Sequence, residues 1–290
     1  MKLFLVSICY FFFTELAIAQ TLDLGDFNHP CKKLRTDAST LKVFERQKSG
    51  KDFSQEKQQI SFRKALDQDC LWTPTFAMDR NDFNGIGLSD SRSTFLTTRL
   101  GISYRKRQSS GDFYQIQAGS AYRFEAQSGA NLFIPAGFGI WSHKTVNHRW
   151  FYGGGVSDIF GNTTAFPILG VHKRWNEKWS TRLLLPLIVN TTYRFSRGES
   201  LSILASPMSF QAELANDGRF NSSKSTLQAR FRAFRVGIGL RKKLKRQFSL
   251  QVQAGLLLGR RYQIYDNNSR VYEERVKGTP YGELAVNWNF

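Results

Sequence analysis

The last nine residues confine this chain to few folds. Gly282, Leu284, Val286, Trp288 and Phe290 fall on one face of an extended segment, and Glu283, Ala285, Asn287 and Asn289 on the other. The segment before it repeats the pattern. Phe248, Leu250, Val252, Ala254, Leu256 and Leu258 alternate with Ser249, Gln251, Gln253, Gly255 and Gly259, and only Leu257 is out of phase. A period of two over such lengths is a β-strand with one face suited to hydrocarbon and one to water. A soluble sandwich alternates too, so alternation settles the strands and not their surroundings.

From Trp72 onward the chain is a series of such segments, roughly 10 to 14 residues each, rich in aromatic and branched residues and punctuated by turns. Aromatics gather toward segment ends, as in Trp141, Trp150-Phe151-Tyr152, Trp175 with Trp179, Tyr193 with Phe195, Tyr262 with Tyr265, and Trp288 with Phe290. That distribution matches belts at two membrane interfaces. Short basic links at Arg105–Gly111, Lys144–His148, Asn176–Lys178, Ser196–Glu199 and Arg241–Gln247 are expected at the periplasmic end. Longer polar links at Arg80–Ser93, Ala215–Ser225 and Asp266–Lys277 are expected outside.

Residues 1–19 read as a secretory signal peptide: Lys2, an apolar stretch from Leu3 to Phe13, and Ala17-Ile18-Ala19 before a cleavage point at Gln20. Beyond it the longest apolar run, Leu183–Val189, is interrupted by Pro186 and is far below the roughly 20 residues of a spanning helix. Export plus membrane-facing strands points to the bacterial outer membrane. The expected fold is therefore all-β, a transmembrane antiparallel barrel of ten to twelve strands over residues 71–290. A turn at Pro186 gives twelve strands starting at Trp72, and ten remain if both features are discounted. Gly153-Gly154-Gly155 is expected to relieve curvature in the closed sheet, because no helix start or Lys-Ser/Thr element follows it. Trp288 and Phe290 have the form of the C-terminal signal that such barrels present to their assembly machinery.

Residues 20–70 differ in composition. They carry Lys32-Lys33, Glu45-Arg46-Gln47-Lys48 and Glu56-Lys57-Gln58-Gln59 with few β-branched residues, and are expected to form a polar periplasmic extension. Cys31 and Cys70, the two cysteines of the mature chain, are expected to pair in an oxidising compartment.

The phrases Phe166-Pro167-Ile168-Leu169-Gly170-Val171, Trp175-Asn176-Glu177-Lys178-Trp179, Leu183-Leu184-Leu185-Pro186 and Tyr193-Arg194-Phe195 resemble a Gram-negative outer-membrane β-barrel family of unknown function. The resemblance covers roughly the last two-thirds of the chain. It implies a barrel in the outer membrane, assigns no activity, and carries over no catalytic residue.

The chain holds 41 Lys plus Arg against 23 Asp plus Glu, a formal charge of +18. A charge facing lipid at mid-bilayer costs on the order of 2 to 4 kcal/mol, which directs Arg182, Arg235 and Arg261 inward. Gln251, Gln253, Glu283 and Asn287 share the polar face, so these seven residues are the candidate pore lining. Arginines around a water-filled passage favour anions, giving a first function: a small passive pore with a preference for anionic solutes. The bases could equally sit in turns and at lipopolysaccharide phosphates. In the segment Leu227–Leu240 the apolar phase switches near Ala233-Phe234, which implies either a bulge or the end of the lipid belt.

A second function class is a lipid-modifying enzyme, with Ser142 beside His143, with His148, or with His172 near Asp158 as its groups. None forms a motif, so a non-enzyme is expected. A third class is a structural barrel that anchors surface loops or the N-terminal extension. The four histidines show no ligand spacing, so neither metal nor cofactor is implied. The expected partners are outer-membrane lipid, lipopolysaccharide and the barrel assembly machinery. Export excludes nucleic acid despite the basic balance.

Overall fold

The computed structural model describes residues 34–45, 53–64, 66, 72–84, 93–126, 128–158, 161–215, 226–245, 247–266, 269–276 and 278–289. They form fifteen strands: β1 (Leu34–Glu45), β2 (Phe53–Lys64), β3 (Trp72–Asn84), β4 (Ser93–Arg107), β5 (Phe113–Glu125), β6 (Asn131–Lys144), β7 (His148–Ser157) and β8 (Thr164–Arg174). The chain continues with β9 (Trp179–Leu185), β10 (Ile188–Arg194), β11 (Glu199–Ala215), β12 (Thr226–Lys245), β13 (Phe248–Asp266), β14 (Ser269–Val276) and β15 (Thr279–Asn289).

Every strand from β1 to β13 pairs antiparallel with its successor. β15 pairs with β13 on one side and with β1 on the other, from Arg35↔Asn289 to Val43↔Tyr281. That last ladder closes a ring of fourteen strands. β14 pairs with Arg260–Asp266 of β13, on the side that β15 uses lower down, and stands beyond the ring.

The expectation of ten to twelve strands is corrected to fourteen. From Trp72 onward the ring contains twelve, the count that includes a turn at Pro186, where the Leu187 amide donates to the Leu184 carbonyl at 2.7 Å. The other two are β1 and β2, which place residues 34–45 and 53–64 in the wall and not in a polar extension. Their outward face hides the pattern: among the side chains described, Thr36, Thr40, Lys42, Glu56 and Gln58 point that way beside the apolar Ala38, Ile60 and Phe62. Lys42 and Glu56 pair there at 3.4 Å. Ladders on both sides make these segments strands whatever their faces carry. The signal segment, Cys31, Cys70 and Phe290 lie outside the described residues.

Elsewhere the alternation is realised as expected. Leu100, Ile102, Ile116, Phe133, Leu169, Ile203, Ile238 and Leu284 face outward with exposures of 42–61 %. Such a wall is tolerable only against hydrocarbon. An aromatic girdle runs around the lower end, the end that carries the five short basic links. Trp72 meets Tyr104 at 4.7 Å, Trp141 meets Tyr152 at 5.8 Å and Trp179 meets Tyr193 at 4.8 Å between ring centroids. Tyr262 does not belong to a belt, because it is buried inside. Asn176 shapes one lower link by accepting from the amides of Lys178 and Trp179 at 2.9 and 2.7 Å, a local Asx turn. A Cβ on Gly153 would lie 2.0 Å from the Gly139 carbonyl oxygen, so the glycine run allows close approach of two strands.

The wall is uneven in height. β11, β12 and β13 have 17, 20 and 19 residues, whereas β9 and β10 have seven each. A tilted spanning strand takes about 9–11 residues. The long strands therefore rise well past the lipid while β9 and β10 fall short. β10 pairs with β11 only as far as Ala205. Above that, β11 leans across the mouth: the Phe210 ring packs on Phe83 at 5.0 Å and Phe95 at 4.9 Å, and Arg123 of β5 donates to the Gln211 carbonyl.

Ring closure predicts a cross-link. In a chain whose native cysteines are serine, Ser39→Cys with Ala285→Cys, which are direct partners across the β1–β15 ladder, should form a disulfide that shifts the folded band on a non-reducing gel. A detached N-terminal segment would give none.

Candidate functional site

The interior has three levels, and β12 shows why. Its odd-numbered residues face inward along the whole strand. In the lower half, Phe234, Val236, Ile238 and Leu240 face out and Arg235 and Arg241 face in. In the upper half, Arg230 and Arg232 face out and Leu227, Ala229, Phe231 and Ala233 face in. The strand keeps its phase while its surroundings invert: lipid outside below, water outside above. The apolar switch near Ala233-Phe234 is thus the end of the lipid belt on β12.

The bulge is on the neighbour. Gly259, at φ +59°, and Arg260 together face Ala233, so β13 gains one residue against β12. Above it the inward positions of β13 become Arg260, Tyr262 and Ile264. Arg261 is therefore turned outward, which corrects its assignment to the lumen. Arg260, in its place, is buried and donates to Thr279. A glycine three residues past the last regular alternation was the one sequence signal for this shift.

The upper level is an apolar closure. Leu41, Val43, Phe83, Phe95, Phe210, Phe231, Leu257, Tyr262 and Tyr281 form one buried cluster inside the mouth. Leu257, out of phase as a lipid-facing residue, is a lumen residue of this cluster.

The middle level is ionic. Arg99 pairs with Asp79, Arg235 with Glu283 at 2.8 Å, and Arg123 with Asp158 at 3.6 Å. Lys57 lies in electrostatic reach of Asp79, Arg99, Arg123 and Arg235. Four cations thus face three carboxylates across the lumen, supplied by β2, β3, β4, β5, β12, β15 and the link after β7. Arg123 also donates to Thr97 at 3.0 Å and lies over the Phe210 ring at 4.1 Å, which ties the charges to the closure above. Sequence pattern assigned Arg235, Gln253 and Glu283 to the lumen, and all three are there and buried. It missed Lys57, Asp79, Arg99 and Arg123, although each alternates with outward apolar or polar neighbours.

The lower level is a basic vestibule beside a second buried apolar cluster, Phe113, Ile140, Phe151, Phe166, Ile168, Leu184 and Leu187, which fills the interior along β5 to β9. Arg35, Arg63, Arg105, Arg149, Arg182 and Arg241 face inward here. Asp37 and Asp112 are the carboxylates beside them among the described residues: Arg35 pairs with Asp37 at 2.8 Å, and Asp112 sits at the rim. Gln251 and Asn287 line the same space, and Arg35 donates to Asn287 at 3.2 Å. Arg149 donates to Ser142 at 2.8 Å and to the Gly111 carbonyl at 3.2 Å. At the rim the Lys144 amide donates to Asp112 at 2.7 Å, and this, with smaller help from His143 at 3.2 Å, holds its carboxyl below the usual aspartate value.

The hydrolytic groups do not converge. Ser142 faces the lumen and its neighbour His143 the outside. His172 is opposite Arg149 at the lower end of the β7–β8 hairpin, whereas Asp158 follows its upper end and pairs with Arg123.

A closed antiparallel ring with an apolar exterior, a lower aromatic girdle and an interior that carries charged groups between apolar clusters defines an outer-membrane β-barrel. The chain belongs to the family described as a domain of unknown function (DUF6268), whose profile matches residues 98–290. No curated protein matches it. The COG4313 outer membrane channel from Pseudomonas putida F1 is similar in structure, with 14% identity and a TM-score of 0.51 over 93% of this chain and 100% of that one. The Pseudomonas putida toluene transporter TodX follows at 11% identity and a TM-score of 0.42 over 96% and 94%. Outer membrane phospholipase A from Escherichia coli is at 9% and 0.37 over 88% and 92%. At these identities the likeness to the first shows the fold, and the other two are too distant in shape to add to it.

Two outcomes follow from the site. Replacing Arg235 with Met strands Glu283 in a buried position and should cost about 3–5 kcal/mol, whereas Arg235→Met with Glu283→Met should recover most of it; urea titration of the heat-modifiable band measures both. Asp112 binds its proton less readily folded than unfolded, so its contribution is present above the unfolded value and lost as pH falls through the folded one. Asp112→Asn should therefore flatten the fall of the unfolding midpoint on acidification below about pH 5.

Proposed function

We propose that this protein is a passive outer-membrane pore for small anionic solutes, held closed here by the upper half of β11 and β12. The observation that carries it is the charge of the lower level: among the described residues, these six inward arginines face two carboxylates around a vestibule at the end with the short links. Short turns mark the periplasmic side of such barrels. A low-dielectric wall around one sign of charge concentrates the opposite sign within it, and rings of arginine select anions. The four-to-three excess of cations in the middle level continues that preference upward. Passage requires the Phe210 and Arg123 contacts to part, since they join β11 to β3, β4 and β5 across the mouth.

The same closure favours a second reading, a sealed barrel that anchors its outer links. A hydrolytic role has no support, because Ser142 and His143 face opposite sides of the wall.

Planar-bilayer recording separates these. A pore gives discrete steps with a reversal potential shifted toward that of the anion, and Arg182→Gln with Arg241→Gln should reduce that shift. Conductance should rise in Phe210→Ala, which thins the closure. Silence of both the native protein and Phe210→Ala, or preference for cations, would sink the pore.

A further inference from the structure

The outer wall changes character within one residue pair. Phe234 of β12 and Leu258 of β13 are direct partners facing lipid, 47 % and 41 % exposed. The next outward partners above them are Arg232 and Arg261, and Arg261 is in turn the direct partner of Arg275 on β14. Three arginines thus stand side by side on neighbouring strands whose backbones run about 5 Å apart. Like charges directly opposite one another destabilise a sheet.

The surrounding carboxylates do not relieve this. Glu273 serves Arg275 at 3.2 Å and also pairs with Arg270. Glu213, the outward carboxylate on upper β11, is opposite Gln228, two rows above Arg232. Arg230 is engaged otherwise, donating to Gln228 at 2.9 Å and lying over the Tyr265 ring at 4.1 Å. Among the described residues of β12, β13 and β14, five outward arginines therefore face one outward glutamate, since Glu274 is opposite the inward Tyr262 and accepts from Tyr272 at 2.9 Å. On the β11 side the link at Gly161 borders the row, since a Cβ there would lie 3.8 Å from that of Arg232.

Position supplies the ligand chemistry. The row lies immediately above the outermost lipid-facing pair, at the end opposite the short links. That is the headgroup depth of the outer leaflet, and fork-shaped guanidinium groups suit phosphate oxygens. We infer that Arg232, Arg261 and Arg275 form a binding row for the phosphates of lipid A, the membrane anchor of lipopolysaccharide. The β13 bulge is what builds it: by turning Arg260 inward and Arg261 outward, Gly259 places the central arginine between the other two.

The test uses the full-length protein in neutral detergent, titrated with bisphosphorylated lipid A, with the same lipid A after phosphate removal, and with phosphatidylglycerol, and read by native mass spectrometry. Bisphosphorylated lipid A should bind more tightly than the other two. At roughly fivefold for each arginine, Arg232→Gln with Arg261→Gln and Arg275→Gln should lower affinity on the order of 100-fold. Lys178→Gln, in an exposed lower link, should leave it unchanged. Arg232→Gln alone, an exposed position, covers the case in which the triple variant fails to fold, and should show the fivefold loss. Equal binding with and without phosphate, preference for phosphatidylglycerol, or an unaltered Arg232→Gln would overturn the inference.

Discussion

Lipid offers no partner to a peptide N–H or C=O, so the whole structure depends on the ladder that joins β1 to β15. Without it two long strand edges would face hydrocarbon, each unpaired group at a cost of several kcal/mol. The ladder also explains how a hairpin with a mostly polar outer face belongs to a membrane wall. Backbone pairing on both sides holds β1 and β2 in place, and among their described side chains the lipid face is Ala38, Ile60 and Phe62.

Strand length then determines what the interior becomes. Because β9 and β10 stop at Pro186, β11 has no strand neighbour above Ala205 on that side and crosses the mouth instead. Its inward Phe210 completes an apolar closure with Phe83 and Phe95, and the Arg123 side chain satisfies one of its exposed carbonyls. Below this closure the lumen contains charge on one side and the apolar cluster around Phe151 and Ile168 on the other, and the ionic level shares Arg123 with the closure. The excess of arginine at the lower end and the closure at the upper end are therefore parts of one arrangement: an attractive vestibule leading to a blocked passage.

Much of the wall was legible along the chain. The alternation of β13 and β15, the short basic links at one end, and the turn at Pro186 all follow from side-chain chemistry that repeats locally, whereas the expected link Asp266–Lys277 holds strand β14. Arg235, Gln253 and Glu283 could be placed inside because they alternate with Val236, Val252 and Leu284, whose outward position is fixed by lipid. Arg261 could not. One extra residue at Gly259 shifts the phase, and a bulge is defined only by the register against Ala233 on another strand. Lys57, Asp79, Arg99 and Arg123 were equally hidden, since they come from four strands whose lumenal ends meet only when the ring is shut.

The sequence by itself determined that this protein is built of membrane-facing strands, because a period of two with an apolar face records the boundary between hydrocarbon and water at every residue. The tertiary structure alone decided the number of strands, the inversion of inside and outside above Ala233, and the union of charges at mid-lumen. Those depend on which edges pair, in what register and to what height, and pairing energy is shared between segments far apart in the chain.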